Sequence, residues 1–220
     1  MKDFPVFTSE FGAASLTLRQ IPYRGEAYIH LQDFKEEQRQ ALIADCAAFC
    51  RAAGAERIFV TPASGEPAFR ILEMRGVPSL HEEDIENIFP VTQETVGAWR
   101  RIANDCLRPV DFAAMLEKSD EEEILKSGGA YFIHRSGRLL GIGWLQEDCL
   151  ELIASVVPGE GCHVAETLLS VEPGTGIRLE VASTNQKAIR LYERLGFLPT
   201  AELESWEAVH PDIQSSFLNK

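Results

Sequence analysis

The sequence has no apolar run approaching the length of a membrane span, and Met1-Lys2-Asp3 does not open a secretory signal pattern. No membrane partner is therefore expected, and the expected location is the cytoplasm. Basic residues are scarce: 21 Lys and Arg stand against 34 Asp and Glu, a formal net charge of -13. A nucleic-acid binder needs a basic surface for phosphate, so no nucleic-acid partner is expected, whereas a cationic substrate is compatible. Cysteines are few and odd in number (Cys46, Cys50, Cys106, Cys149, Cys162), which speaks for buried free thiols in a reducing compartment rather than a disulfide framework. Cys46 and Cys50, at i, i+4 on a helix, read as core, and no metal site is expected. The acidic runs His81-Glu82-Glu83-Asp84 and Asp120-Glu121-Glu122-Glu123 read as a solvated linker and a helix start, since carboxylates in line do not converge on a cation.

What is present is concentrated near the end of the chain. Ile177, Leu179 and Val181 alternate with Arg178, Glu180 and Ala182, the period of a strand. Ser183, Thr184 and Asn185 can accept from the free amides of a first helical turn, and Ala188, Leu191, Tyr192 and Leu195 then repeat at helical spacing. Gly196 can take the left-handed conformation that closes a helix, and Phe197 resumes apolar chain. Upstream, the apolar runs from Ala130 to His134, Arg138 to Leu145 and Cys149 to Val157 are separated by Ser136-Gly137 and Glu147-Asp148, which predicts a three-stranded meander. Val96 to Glu117 carries Trp99, Ile102, Ala103, Cys106 and Leu107 at helical spacing, with Pro109 interrupting.

The order V-x-x-x-N-x-x-A-x-x-L-Y-x-x-x-G-F, carried by Val181, Asn185, Ala188, Leu191, Tyr192, Gly196 and Phe197, resembles the acetyl-coenzyme A binding segment of the GNAT superfamily of N-acetyltransferases. Trp99 to Phe197 resembles most of that family's core, with Leu198 to Val209 left for closing strands. The resemblance implies an α/β (α+β) GNAT fold: a mixed, mostly antiparallel sheet with a splayed parallel strand pair, preceded here by a smaller α/β domain. It implies acetyl-CoA as co-substrate and a small-molecule or peptide amine as acceptor, in a monomer or homodimer.

The phosphate loop is where the chain departs from the family pattern. Pro158-Gly159-Glu160-Gly161-Cys162-His163-Val164-Ala165 puts Glu160 where relatives carry a basic or amide residue and His163 at the first small position. Ala165 fits the second. Backbone amides pointing at a pyrophosphate do not depend on side-chain identity, so Gly159, Gly161, His163, Val164 and Ala165 are the expected contacts. Glu160 is expected to point to solvent. A non-catalytic acetyl-CoA-binding or dimerisation module is the alternative reading that this loop leaves open.

The resemblance also implies roles. The strands are expected to part near Val156, with backbone N–H groups of Ser155, Val156 and Val157 facing the developing oxyanion and the pantetheine arm. Tyr192 is the expected proton donor to the departing thiolate, with a core aromatic as the plainer reading. Asn185 is a helix cap that can also touch the coenzyme, as can Ala188. Glu151 is the first candidate for the base, sharing a face with Ile153 and Ser155 by alternation; Glu147, Asp148, Glu180 and Glu204 rank below it.

The first ninety residues can be read as a reduced second copy. Ala68 to Val77 can be laid over Ala188 to Phe197 with alanine, arginine, glutamate and glycine coinciding, and Arg57 to Val60 over Arg178 to Val181. The prediction is a hairpin, a helix, a strand and a helix, without a coenzyme site, because Leu72 takes the tyrosine position. An unrelated small α/β domain is the other reading. Domains are expected over 1–85 and 86–220, with the boundary between Pro78 and Pro90.

Overall fold

The computed structural model describes residues 5–77, 87–171 and 176–210. Two compact units divide the chain, residues 1–70 with 204–220 and residues 71–203. In chain order the elements are β1 (Val6–Ser9), β2 (Gly12–Thr17), α1 (Ile21–Arg24), β3 (Glu26–Phe34), α2 (Arg39–Ala52), β4 (Arg57–Thr61), β5 (Phe69–Gly76), β6 (Asn87–Pro90), α3 (Val96–Leu107) and α4 (Glu121–Ser127). They continue with β7 (Ala130–Arg135), β8 (Arg138–Gln146), β9 (Cys149–Ser155), α5 (Gly161–Leu169), β10 (Ile177–Ala182), α6 (Gln186–Arg194) and β11 (Leu198–Ala208).

In the first unit the sheet runs β1-β2-β3-β4 and then the end of β11, which pairs with β4 through Glu207↔Val60 and Ala208↔Phe59. Ala14 and Leu16 on β2, and Ala27, Ile29 and Leu31 on β3, alternate onto one face. There they meet Leu42, Ile43, Cys46, Ala47 and Cys50 of α2. Each leucine or isoleucine among them removed from water contributes about 1.5–3 kcal/mol. Gly54, at φ 99°, ends the helix segment. The parallel pair β3 and β4 is hydrogen-bonded from Glu26↔Arg57 to His30↔Thr61, the full length of β4.

Two buried charges hold this unit's loops. Glu26 is fully buried; its Oε2 accepts from the Tyr28 hydroxyl at 2.6 Å and from Arg24 Nε at 3.2 Å. Its Oε1 meets Arg57 Nη2 at 2.6 Å, a charge contact rather than a well-angled hydrogen bond. Burial, the hydrogen bond to Glu26 and the charge of Glu26 together push the Tyr28 phenol far above its ordinary pKa. Arg39, also buried, donates to Pro62 O (2.6 Å), Ser64 Oγ (3.1 Å) and Glu207 Oε1 (2.9 Å).

In the second unit the strand order is β11-β5-β10-β9-β8-β7-β6. One face is covered by α5 and α6, whose Val164, Leu168, Ile189 and Tyr192 pack with Met74, Leu150, Leu179 and Val181. The core of the other face is built from Trp99 and Ala103 of α3 and Ile124 of α4 against Ala130, Ile142, Trp144 and Leu152. Gly141 and Gly143 on β8 let α5 lie directly on the sheet, for a Cβ on Gly143 would stand 2.3 Å from Leu168 Cδ2. The three predicted meander strands form, and the long helix stops at Leu107, ahead of Pro109. Asp120 is not simply solvated: it is buried, and its Oδ2 accepts from Glu117 N–H at 2.8 Å. The run His81 to Asp84 lies outside the described residues.

The N-terminal hairpin, helix and strand appear as expected, but Ala68 to Val77 does not form the second helix. Phe69–Gly76 is a strand, paired antiparallel with β10 from Ile71↔Ala182 to Gly76↔Ile177. Its side chains follow period 2: Leu72 and Met74 join the core, while Glu73 and Arg75 share the other face in an ion pair of 2.8 Å. Gly76 permits the close approach, since a Cβ there would lie 2.8 Å from Gly196 O. The compact units also divide differently from 1–85 and 86–220, because most of β5 belongs with β10 and the end of β11 with β4. Leu198 to Val209 holds one strand of 11 residues rather than several.

Candidate functional site

The parallel neighbours β9 and β10 are joined only at Arg178↔Cys149 and Leu179↔Leu150. Beyond Leu150 they part, although each stays fastened on its outer edge: β9 to β8 as far as Ser155↔Gly141, and β10 to β5 as far as Ala182↔Ile71. The gap is therefore built into the sheet and is not a frayed end. It opens ahead of Val156, the expected point. The cause is a bulge: Trp144 faces Leu152 while Leu145 faces Leu150, so Glu151 is the extra residue on β9. A bulge bends its strand and breaks the ladder locally.

The bulge also overturns the alternation that placed Glu151 with Ile153 and Ser155. Ile153 packs toward the α5 and α6 face, whereas Glu151 is exposed and lies beside Cys149 and Arg178 at the closed end of the gap. Burial, then the charge of Glu151 and its hydrogen bond, push the Cys149 thiol up to about 12, against the opposing pull of Arg178.

Of the three amides expected to face an oxyanion, that of Val156 is taken: it donates to Leu140 O at 2.8 Å. Because successive strand amides point to opposite edges, the N–H groups of Ser155 and Ile153 turn from β8 toward the gap. The Ser155 hydroxyl donates to Val157 O at 2.7 Å and fixes the turn that leaves the strand.

That turn passes through Gly159, at φ 90°, into α5. The Val164 N–H donates to Glu160 O at 3.0 Å, so the amides of Gly161, Cys162 and His163 precede the first helical hydrogen bond. The Val164 and Ala165 side chains are fully buried, and Val164 leans on Gly141, so neither side chain is presented to a ligand. Glu160 does not point to solvent. Its Oε2 is held by Arg135 Nη1 at 3.2 Å and His163 Nδ1 at 2.9 Å, an ion pair across the mouth of the loop.

Asn185 caps α6: its Oδ1 accepts the Ala188 N–H at 3.2 Å, and Ala188 packs against the core. Tyr192 is 9% exposed and lies among Val181, Leu179 and Val164, its ring centre 6.0 Å from that of Phe197. Burial pushes the phenol up to about 12, and its hydroxyl has no hydrogen-bond partner among the described residues. The residues that sequence reasoning passed over are Arg135, which the Ser136-Gly137 turn places against the loop, and the paired glycines of β8 that seat α5. Among the described residues no group of His, Cys, Asp and Glu side chains is arranged to hold a metal, and no helix is long and apolar enough to cross a membrane.

No family model matches the sequence, and no curated protein does either. Solved structures do match. A GCN5-related N-acetyltransferase from Anabaena variabilis is similar at a TM-score of 0.58 and 12% identity, over 90% of this chain and 59% of that one. A conserved protein of unknown function from Staphylococcus epidermidis is similar at 0.55 and 11% identity, over 94% of this chain and 92% of that one. A GCN5-related N-acetyltransferase from Sphaerobacter thermophilus is similar at 0.50 and 12% identity, over 86% and 73%. These likenesses establish the fold.

Proposed function

We propose that this chain, with its GNAT fold, transfers the acetyl group of acetyl-coenzyme A to a primary amine of a small molecule or peptide by direct attack. The observation that carries the reading is the parting of β9 and β10 beyond Leu150 and Leu179 while both outer edges stay paired. A permanent gap with inward amides suits an extended thioester arm, because peptide-like groups of the arm can complete the interrupted ladder. The first-turn amides of α5 suit the pyrophosphate.

An amine acceptor is mostly protonated near neutral pH, with a reference pKa of about 10.4 for lysine-like groups, so it must lose a proton before attack. Glu151, exposed at the closed end of the gap, is the carboxylate we assign to draw that proton away, through intervening water rather than by direct contact. Nitrogen then attacks the thioester carbon, and the Ser155 N–H faces the oxygen on which negative charge grows. As the carbon–sulfur bond breaks, Tyr192 gives its proton to the thiolate, and the proton that the nitrogen sheds after attack restores the phenol through water. A phenol raised to about 12 is fully protonated at working pH and ready to donate.

A second reading has its own observation. Glu160 places an acid beside the pyrophosphate path, a departure that weakens the hold on the coenzyme and leaves open a module that binds acetyl-coenzyme A without turning it over. Thiol release from acetyl-coenzyme A across a panel of amines, with Tyr192→Phe as control, separates the two. Release that depends on both amine and phenol supports transfer. Binding without release supports the module, and absence of binding removes both.

A further inference from the structure

The outer face of α6 carries a feature that the site above does not use. Lys187, Arg190 and Arg194 fall at i, i+3 and i+7, one side of the helix, and with Glu193 they line an open concavity of about 710 Å³. All three cations are exposed, and none has an ion-pair partner among the described residues. In a chain of net charge -13, three cations gathered around a single acid, Glu193, leave this concavity suited to an external anion.

The stripe adjoins the phosphate loop. Leu191, on the same helix, lies over Gly161, where an added Cβ would be 3.9 Å from Leu191 Cδ2. Burial and then the charge of Glu166 raise the Cys162 thiol pKa, and Arg194 is close enough to pull against them. The side-chain donors beside the loop, Arg135 at the end of β7 and His163 at the start of α5, are already engaged by Glu160. Coenzyme A carries two separate phosphate groupings: a pyrophosphate joined to its thiol arm, and a ribose 3′-phosphate beyond it. The second is a monoester with a charge of about −1.5 to −2 at pH 7, and it needs cations rather than amides alone.

Resting on the coenzyme reading above, we propose that Lys187, Arg190 and Arg194 bind the ribose 3′-phosphate of coenzyme A. Affinity in this chain then comes chiefly from α6, and the loop, blunted by Glu160, contributes less. The consequence is strong discrimination against coenzyme lacking that phosphate.

The test compares dissociation constants for coenzyme A and dephospho-coenzyme A by calorimetric titration, on the full chain and on the Lys187→Ala/Arg190→Ala/Arg194→Ala variant. Exposed charge pairs are worth about 0.2–1 kcal/mol each, so three of them, about 2 kcal/mol in all, should make the parent bind dephospho-coenzyme A roughly thirtyfold more weakly. The variant should bind both compounds at that weaker level, with dephospho-coenzyme A unchanged and the melting temperature kept. Equal binding of the two compounds by the parent overturns the proposal while leaving the coenzyme site standing. Discrimination that survives in the variant, or an equal loss for both compounds, also overturns it. Binding of neither compound by the parent removes the coenzyme reading as well.

Discussion

Gly143 on β8 and Leu168 on α5 are fitted to each other: a methyl group on the glycine would stand 2.3 Å from Leu168 Cδ2. Gly143→Ala should therefore destabilise the chain by about 1–3 kcal/mol through overpacking. Leu168→Ala alone should cost about 2–5 kcal/mol, and the double variant less than the sum, because the shortened side chain admits the methyl. Gly141→Ala should gain no such relief from Val164→Ala, since its nearest obstruction is the backbone oxygen of Ala154 at 2.4 Å. Urea unfolding of the set decides it; additive losses at positions 143 and 168 would contradict the packing described.

Tyr192→Phe should lower kcat by about 10²-fold or more while leaving coenzyme binding nearly intact. Stability should change little, because the hydroxyl has no partner among the described residues to lose. With the phenol raised to about 12, the acid keeps its proton throughout the range from pH 6 to pH 10, so it imposes no alkaline fall in rate there. A pH–rate profile is the check, and a fall near pH 8 that disappears in Tyr192→Phe would refute the assignment.

Asn185→Ala should remove the cap on Ala188 N–H and cost about 1 kcal/mol, while Asn185→Asp should retain most of it. For a chain of this size that corresponds to roughly 2–4 °C in Tm, readable by calorimetry. Equal melting of the alanine and aspartate variants would show that the cap is not what the position supplies.

Glu160→Gln should tighten coenzyme binding by about threefold to tenfold, since it removes an acid's charge from the phosphate path and weakens the hold on Arg135 and His163. Arg135→Ala should act in the opposite direction. Titration of coenzyme A at low and high salt measures both, and the effects should shrink as salt rises. Weaker binding by Glu160→Gln would mean that the carboxylate holds the loop in its binding shape.

Arg39→Ala should cost about 1.5–3 kcal/mol near neutral pH, because it takes the cation from Glu207 and the donor from Pro62 O. Burial raises the Glu207 pKa, but Ser64 N–H, Arg39 and Gly65 N–H outweigh it and leave the group below its ordinary value. A depressed carboxylate contributes stability that is present above the unfolded pKa of about 4.3 and is lost as pH falls through the lower folded value. The penalty for Arg39→Ala should therefore shrink below about pH 4. Chemical denaturation at pH 7 and pH 3 tests this, and a penalty independent of pH would assign it to packing of the arginine stem.

The segment from β10 through α6 was legible because its signals are local. A cap at Asn185, a stripe through Tyr192 and a left-handed stop at Gly196, φ 92°, all act within a few residues of where they are read. What stayed hidden depends on partners far along the chain. Ala68 to Gly76 shares its alanine, arginine, glutamate and glycine spacing with a helix, and it is pairing within the sheet, with β10 on one side, that makes Phe69–Gly76 a strand. Glu151 loses its alternation because of the way β8 opposes it, which β9 alone does not encode. Glu160 is held by Arg135, 25 residues earlier, and no local pattern announces that ion pair.

The path of β11 bears on how the protein is made. The edge of β4, with Val60 and Phe59, waits for Glu207 and Ala208, which leave the ribosome last among the paired strands. At ordinary rates of translation that wait is on the order of ten seconds, during which the nascent sheet shows an open border. Moving residues 204–210 ahead of β1 by circular permutation would let that border close first, and the yield of soluble protein would report what the delay costs.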